Sequence, residues 1–242
     1  MRKVLNSIYL IVTVSLLVLL VFTSHQTRSG IVCNNIEIKI DTRADLFFVS
    51  EEMVVDLVVE NQDSLVGKSF KDINIFLLEE NLNKHPYIDK AELYLTFSGK
   101  LCIDVKQRKP IARVFEENQS FYFDSQIVPI PLSDRYTARV LHVYWDEITP
   151  SRKEKLSTIL KSISEDDFLK AQITALEFDE NDEVIMYPRI GDHKIVLGSA
   201  LNLTKKFEKL KVFYRSGLEK VGWDRYSHIN LKFDNQVVCT KR

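Results

Sequence analysis

From Val4 to Phe22 the chain is apolar except at Asn6, Ser7, Thr13 and Ser15, and no charged side chain falls between Lys3 and Arg28. Nineteen such residues in a helix would rise about 28 Å, close to the roughly 30 Å thickness of a hydrocarbon layer. Arg2 and Lys3 precede the run and no small-x-small cleavage site follows Phe22. The pattern therefore predicts an uncleaved anchor over residues 1–28, a single N-terminal transmembrane helix with Arg2 and Lys3 cytoplasmic. Everything after Arg28 would lie on the other side.

Beyond that run the periodicity shortens. Ile36, Ile38 and Ile40 alternate with polar neighbours, a strand signal within Val32–Ile40. Ser50 followed by Glu51 and Glu52 is a helix start, with two acids at the positive end of the helix dipole. A second helix begins at Asn74, places Ile75, Leu78 and Leu82 on one face, and ends before Pro86. Ala91, Leu93, Leu95 and Phe97 then alternate with Glu92, Tyr94 and Thr96. Ser98-Gly99 turns the chain into a partner strand with Leu101, Ile103 and Val105 inward. The order predicted over residues 29–109 is β-α-α-β-β. One apolar sheet face is covered by two helices, which leaves Glu92, Tyr94 and Thr96 on the accessible face.

From Pro110 to Arg242 the texture is that of short strands: Arg113–Glu116, Ser120–Phe123, Arg139–Tyr144, Ile173–Phe178, Glu183–Tyr187, Lys194–Leu197, Ser227–Phe233 and Val237–Thr240. Two helices interrupt them. One starts at Thr149-Pro150 and buries Leu156, Ile159, Leu160 and Ile163; the other buries Leu203, Phe207, Leu210 and Tyr214 and ends at Gly217. The fold class is α+β, and this second region is a mostly antiparallel β domain with two helices.

Composition narrows the chemistry. Lys+Arg 33 against Asp+Glu 34 gives a net charge of -1, which supplies no positive field for nucleic acid. The three cysteines, Cys33, Cys102 and Cys239, are an odd count without metal-ligand spacing; they read as buried thiols, or as one disulfide with a free partner. His25, His85, His142, His193 and His228 are isolated, and no nucleotide-loop, nucleophile-elbow or zinc motif occurs. His193 reads as an exposed turn residue. Asp179-Glu180-Asn181-Asp182 has the oxygen density of a weak Ca²⁺ site but reads as a solvated hairpin turn. Lys205, Lys206, Lys209 and Lys211 read as the wet face of an amphipathic helix. The expectation is no catalytic constellation, no cofactor, no metal and no small-molecule substrate.

Several stretches resemble a known family. Gly67-Lys68, His85-Pro86-Tyr87-Ile88 and above all Val105-Lys106-Gln107-Arg108-Lys109-Pro110-Ile111-Ala112 are similar to the POTRA domain and the V-x-E-R-x-P-x-A boundary of the bacterial FtsQ/DivIB family. Gln107 stands where that pattern has Glu. Phe121-Tyr122-Phe123-Asp124 and Pro131-Leu132 resemble the start of its β domain, although the usual Asp-x-x-Gly is missing after Asp124. Lys194–Gly198 and Ile229–Val238 resemble its late strands.

The resemblance implies a non-enzymatic membrane scaffold of the cell-division complex in the inner membrane, with a cytoplasmic N-terminus and a periplasmic C-terminal part, concentrated at the septum. It would link single-pass partners of the FtsB and FtsL type to septal peptidoglycan synthesis. Partner contact is expected at an edge strand through Ile229, Leu231, Phe233, Asn235, Gln236, Val237, Val238 and Cys239, and on the POTRA surface through Glu92, Tyr94 and Thr96. Unpaired backbone at a sheet edge suits strand addition. A POTRA-bearing protein of outer-membrane assembly or secretion is the alternative; no run of barrel strands follows the module. A periplasmic hydrolase would need a nucleophile or metal motif.

Overall fold

The computed structural model describes residues 10–20, 31–42, 45–59, 64–117, 119–145 and 149–242. Helix α1 covers residues 10–20 and exposes its apolar side chains, among them Leu10, Val14 and Leu19. Among the described residues no helix is long and apolar enough to cross a membrane. This corrects the expected transmembrane helix: its described part, residues 10–20, rises only about 16 Å at ~1.5 Å per residue. Val4 and Phe22, the expected ends of that span, lie outside the described residues. The α+β reading, with a POTRA-like unit and a β unit, stands without it.

The chain divides into two compact units, Met1–Gln107 and Arg108–Arg242. In the first, β1 (Asn35–Ile40), α2 (Glu51–Val59), α3 (Ile75–Lys84), β2 (Ile88–Leu95) and β3 (Lys100–Gln107) follow in order. The sheet order is β1-β3-β2, with β1 parallel and β2 antiparallel to β3. Ser50 Oγ accepts the Met53 amide and Asn74 Oδ1 the Leu77 amide at 3.1 Å, so both helices start on side-chain caps. Val54, Val58, Leu78 and Leu82 go into the core against Ala91, Leu93, Leu101, Ile103 and Val105. Each Val, Leu or Ile among them contributes roughly 1.5–3 kcal/mol on burial. Phe97, expected inward, is instead 77% exposed, because the chain has already left β2 and turns there. A Cβ on Gly99 would come within 2.8 Å of Val32 O, which is why this turn takes glycine.

Gln107 explains its own departure from the family pattern. Its Oε1 accepts the Val49 amide at 3.0 Å, and its Nε2 donates to Leu46 O at 2.9 Å and to Asp41 O at 3.3 Å. A carboxylate could make the first bond and neither of the others. The amide therefore holds Asp41, Leu46 and Val49 against the end of β3.

The second unit is one nine-stranded sheet, ordered β12-β11-β10-β9-β8-β7-β4-β5-β6. Its strands are β4 (Pro110–Phe115), β5 (Ser120–Asp124), β6 (Pro129–Ile130), β7 (Leu141–Tyr144), β8 (Ile173–Phe178), β9 (Val184–Pro188), β10 (Lys194–Gly198), β11 (Tyr226–Asn230) and β12 (Val238–Lys241). Parallel pairs β4/β7, β7/β8 and β10/β11 interrupt the antiparallel majority. A parallel neighbour needs a crossover, and helices supply two of the three. Helices α4 (Pro150–Ser164) and α5 (Asp167–Gln172) join β7 to β8. Helix α6 (Leu203–Phe213), a π-helical turn at Tyr214–Leu218 and α7 (Glu219–Val221) join β10 to β11. Their apolar faces share one core with Ala112, Val114, Val143, Leu176, Met186, Ile195 and Ile229.

Two helices were expected here and more are present. Helix α5 is only six residues long, too short to show periodicity, although its Asp166 cap accepts Leu169 N at 3.0 Å. Gly217 does not end the second long helix; it lies in the π-helical turn, and the helical run stops at Gly222, whose φ is +90°.

Candidate partner-binding edge

Strand β12 closes one end of the large sheet, with β11 on one side and no strand on the other among the described residues. Its register is Asn230↔Val238, Ile229↔Cys239 and His228↔Thr240, with a bulge on β11 before Tyr226↔Lys241. The Arg242 amide donates to Arg225 O at 3.3 Å. Amides alternate along a strand, so those of Thr240 and Val238 also face β11, while those of Cys239 and Lys241 face outward. Ser227 Oγ donates to Thr240 O at 3.3 Å, which adds a side-chain tie across the pair.

The loop from Leu231 to Val237 is fixed from behind. Leu231 N donates to Val196 O at 2.9 Å, and Lys232 N to Asn230 Oδ1 at 2.9 Å. Lys209, on α6, donates its ammonium to Leu231 O at 3.0 Å and to Phe233 O. Lys232 forms an ion pair with Glu183 at 2.7 Å. Asn235 takes the left-handed turn conformation at φ +60°, which asparagine tolerates well. Beside this loop, α6 and residues 234–237 bound a groove of about 900 Å³ with Val212 and Phe213 on its α6 wall.

The residues expected to meet a partner sort into three groups. Ile229 and Leu231 are fully buried in the core and present no side chain outward. Phe233, Asn235, Gln236 and Val238 are exposed, whereas Val237 and Cys239 are half-buried and pack on the core. Burial pushes the Cys239 thiol above its ordinary value, so it stays protonated. In the first unit Glu92 and Tyr94 are exposed on the sheet face away from the helices. Thr96 is different: its Oγ1 accepts the Lys100 amide at 3.1 Å and bonds Ser98 Oγ, so it locks the hairpin turn.

Other candidate groups are spent on structure. Cys33, Cys102 and Cys239 are free thiols, the first two buried. Among the described residues no cluster of three or more His, Cys, Asp or Glu is arranged for a metal. Asp179 Oδ1 accepts the Asn181 and Glu183 amides at 2.8 Å, and Asp182 pairs with Arg152 at 2.6 Å. His193, expected in solvent, is buried with Nε2 2.8 Å from Tyr214 Oη. Lys206, expected wet, is also buried; it donates to Leu197 O at 2.9 Å and Ser199 O at 2.7 Å, closing the carbonyl end of β10. The signal missed for both was the neighbourhood: aromatic Tyr214 and Trp223 for the histidine, and the glycine bulge at Gly198 for the lysine.

Known families match both units. Residues 31–106 match the POTRA-like domain. Residues 109–240 match the family described as FtsQ/DivIB, C-terminal related. No curated protein matches the chain. Since the second match covers more than half of the sequence, the chain belongs to the FtsQ/DivIB C-terminal related family of cell-division proteins.

Proposed function

We propose that this protein is a non-enzymatic scaffold of the bacterial division complex, placed at the inner membrane of the septum with its POTRA-like and β domains on the periplasmic side. It links single-pass partners of the FtsB and FtsL type to septal peptidoglycan synthesis. The carrying observation is the outer side of β12, where the amides of Cys239 and Lys241 point away from β11. A partner segment adds there as a tenth strand, using backbone hydrogen bonds for affinity. Phe233 and Val238, exposed next to that edge, then cover the partner's side chains. A second surface, Glu92 and Tyr94 on the sheet of the first unit, serves recruitment.

Proline tests the strand reading, since it deletes a donor without needing any side-chain contact. Cys239→Pro removes an outward amide and is expected to abolish binding of an FtsB-type peptide while the protein still melts cooperatively. Thr240→Pro removes an amide that faces β11 and is expected to lower the melting temperature instead. Wild-type affinity in a folded Cys239→Pro protein would refute strand addition here. Glu92→Lys, tested for septal localisation in cells, addresses the second surface; undiminished localisation would remove Glu92 from it.

A further inference from the structure

A cleft of about 580 Å³ opens at the start of the second unit, where β4, β7 and β8 begin beneath the ends of α4 and α5. That volume is in the usual range for ligand sites, roughly 300–1,000 Å³. Its floor is apolar and includes Pro110, Ile111, Leu160 and Ile173. Its formally charged lining is entirely basic: Lys109, Arg113, Arg139, Lys170 and Arg189. Residues 108–242 hold 22 basic and 20 acidic side chains, so this segregation is not a reflection of the unit's composition.

The cations are poorly neutralised. Lys170 has Asp167 at 2.9 Å, on an almost fully exposed side chain. No carboxylate among the described residues lies within ion-pair distance of Lys109, Arg113, Arg139 or Arg189. Arg113 is held over the Phe115 ring, 5.0 Å from its centroid, and donates to Ser120 Oγ at 3.2 Å, but its buried Nε has no acceptor. Arg189 is positioned by its Nε bond to Ala171 O at 2.7 Å, which leaves the terminal nitrogens of its fork for another acceptor. Like charges gathered around an apolar floor repel one another and are relieved by an anionic occupant.

We propose that this cleft docks an acidic peptide segment of a partner, with apolar side chains between its carboxylates. The five cations come from separate places: β4 and the residue before it, the 131–140 segment, α5, and the residue after β9. Charges spread over several elements match several spaced carboxylates better than one compact phosphate. Three of the five are arginines, whose planar forks take a carboxylate in two hydrogen bonds. The apolar floor accepts the side chains in between. This site is separate from the β12 edge and does not depend on strand addition there.

The test is fluorescence anisotropy of the full chain with a short labelled peptide alternating Glu and Leu, beside a Lys-Leu counterpart. Binding of the acidic peptide alone is expected, weakening with added salt. Arg139→Glu combined with Arg189→Glu is expected to weaken it by roughly tenfold or more, with cooperative melting retained. Lys205→Glu combined with Lys220→Glu, on exposed helix positions of the same unit, is expected to leave it unchanged. Equal losses in both double variants would mean diffuse attraction and would overturn the proposal. So would displacement of the peptide by phosphatidylglycerol vesicles or inorganic phosphate at matched charge, since a lipid surface or free phosphate would then be the occupant. Cys239→Pro is expected to leave peptide binding intact, which separates this site from the strand-addition reading.

Discussion

Strands β6 and β12 end the nine-stranded sheet, and the sequence treats their exposed backbones in opposite ways. Strand β6 is two residues long, Pro129–Ile130, and Pro131 follows it. Proline has no amide to offer, so this end gives an added strand almost nothing to pair with. Strand β12 runs four residues, Val238–Lys241, without proline, and half of its amides point outward. Among the described residues, the charges at the end of β12 are Lys241 and Arg242, the latter 3.5 Å from Asp192. One edge is blunted by composition, while the other keeps the donors that strand addition requires.

The largest way to break this contrast is to unmake the blunted end. Asp124 closes the turn from β5 to β6 by accepting the Gln126 and Val128 amides, both at 2.8 Å, and its other oxygen pairs with Arg108 at 2.7 Å. Both side chains of that pair are largely buried. Removing one partner of a largely buried ion pair costs about 3–5 kcal/mol. Asp124→Ala should therefore lose about that much stability in urea unfolding. Asp124→Asn, which keeps an acceptor for the turn, should lose less. Peptide binding at β12 should survive in whatever fraction remains folded.

Next in size is the conversion of β12 into a second proline edge. Thr240→Pro removes a ladder hydrogen bond, sets the ring against β11 and leaves an acceptor on β11 unsatisfied, which should cost about 1–3 kcal/mol. Cys239→Pro should cost about 1 kcal/mol, mostly the lost packing of its half-buried thiol. Chemical denaturation of the two variants measures the difference directly. If both fell equally, the amide alternation assigned to β12 would be wrong.

How much of this contrast could be read in advance depends on range. Alternation in Ala91–Leu95 and Leu101–Val105 and the face of Leu156, Ile159, Leu160 and Ile163 are local patterns, and these strands and this helix formed as read, Phe97 at the turn excepted. Sheet order is set by distant partners. Nothing near Leu141 announces that β7 lies parallel between β4 and β8. Likewise Ile229 and Leu231 read as members of an edge strand, yet β12 lies outside them and they belong to the core. The outward amides of β12 depend on a register that only the folded sheet fixes. The cationic cleft was invisible for the same reason, since its five charges lie between residues 109 and 189.

A smaller effect concerns pH on the β12 side of the sheet. Burial holds the His193 imidazole below its ordinary value, and the Arg242 charge pushes the same way, against Asp192 and Asp224. The unfolded chain then takes up a proton more readily than the folded one as pH falls. Stability from this group is complete above pH of about 6.5 and is lost as pH falls through the depressed folded value. Melting temperatures from pH 7 to pH 5 should decline for the wild type and decline less for His193→Phe. Equal slopes would mean that other groups carry the acid sensitivity.

The smallest effect is expected at the turn into β6, where two terms oppose each other. Ile127 occupies the position at which the family pattern has glycine, and its φ is +58°. A β-branched residue in that left-handed region costs about 1–2 kcal/mol. Against this, the side chain is buried at 8% exposure and joins the core beside Phe123, a burial worth roughly 1.5–3 kcal/mol. Ile127→Gly releases the strain, forfeits the burial and gains entropy in the unfolded chain, so the net loss should be within about 1–2 kcal/mol. Ile127→Ala separates the terms, because it gives up most of the burial while keeping a Cβ in the strained region. It should therefore be less stable than Ile127→Gly, reversing the usual order of alanine over glycine. Urea midpoints for the two variants decide the matter: alanine above glycine would show that Ile127 carries no strain, and that the blunted edge needs no glycine because its turn fits any side chain.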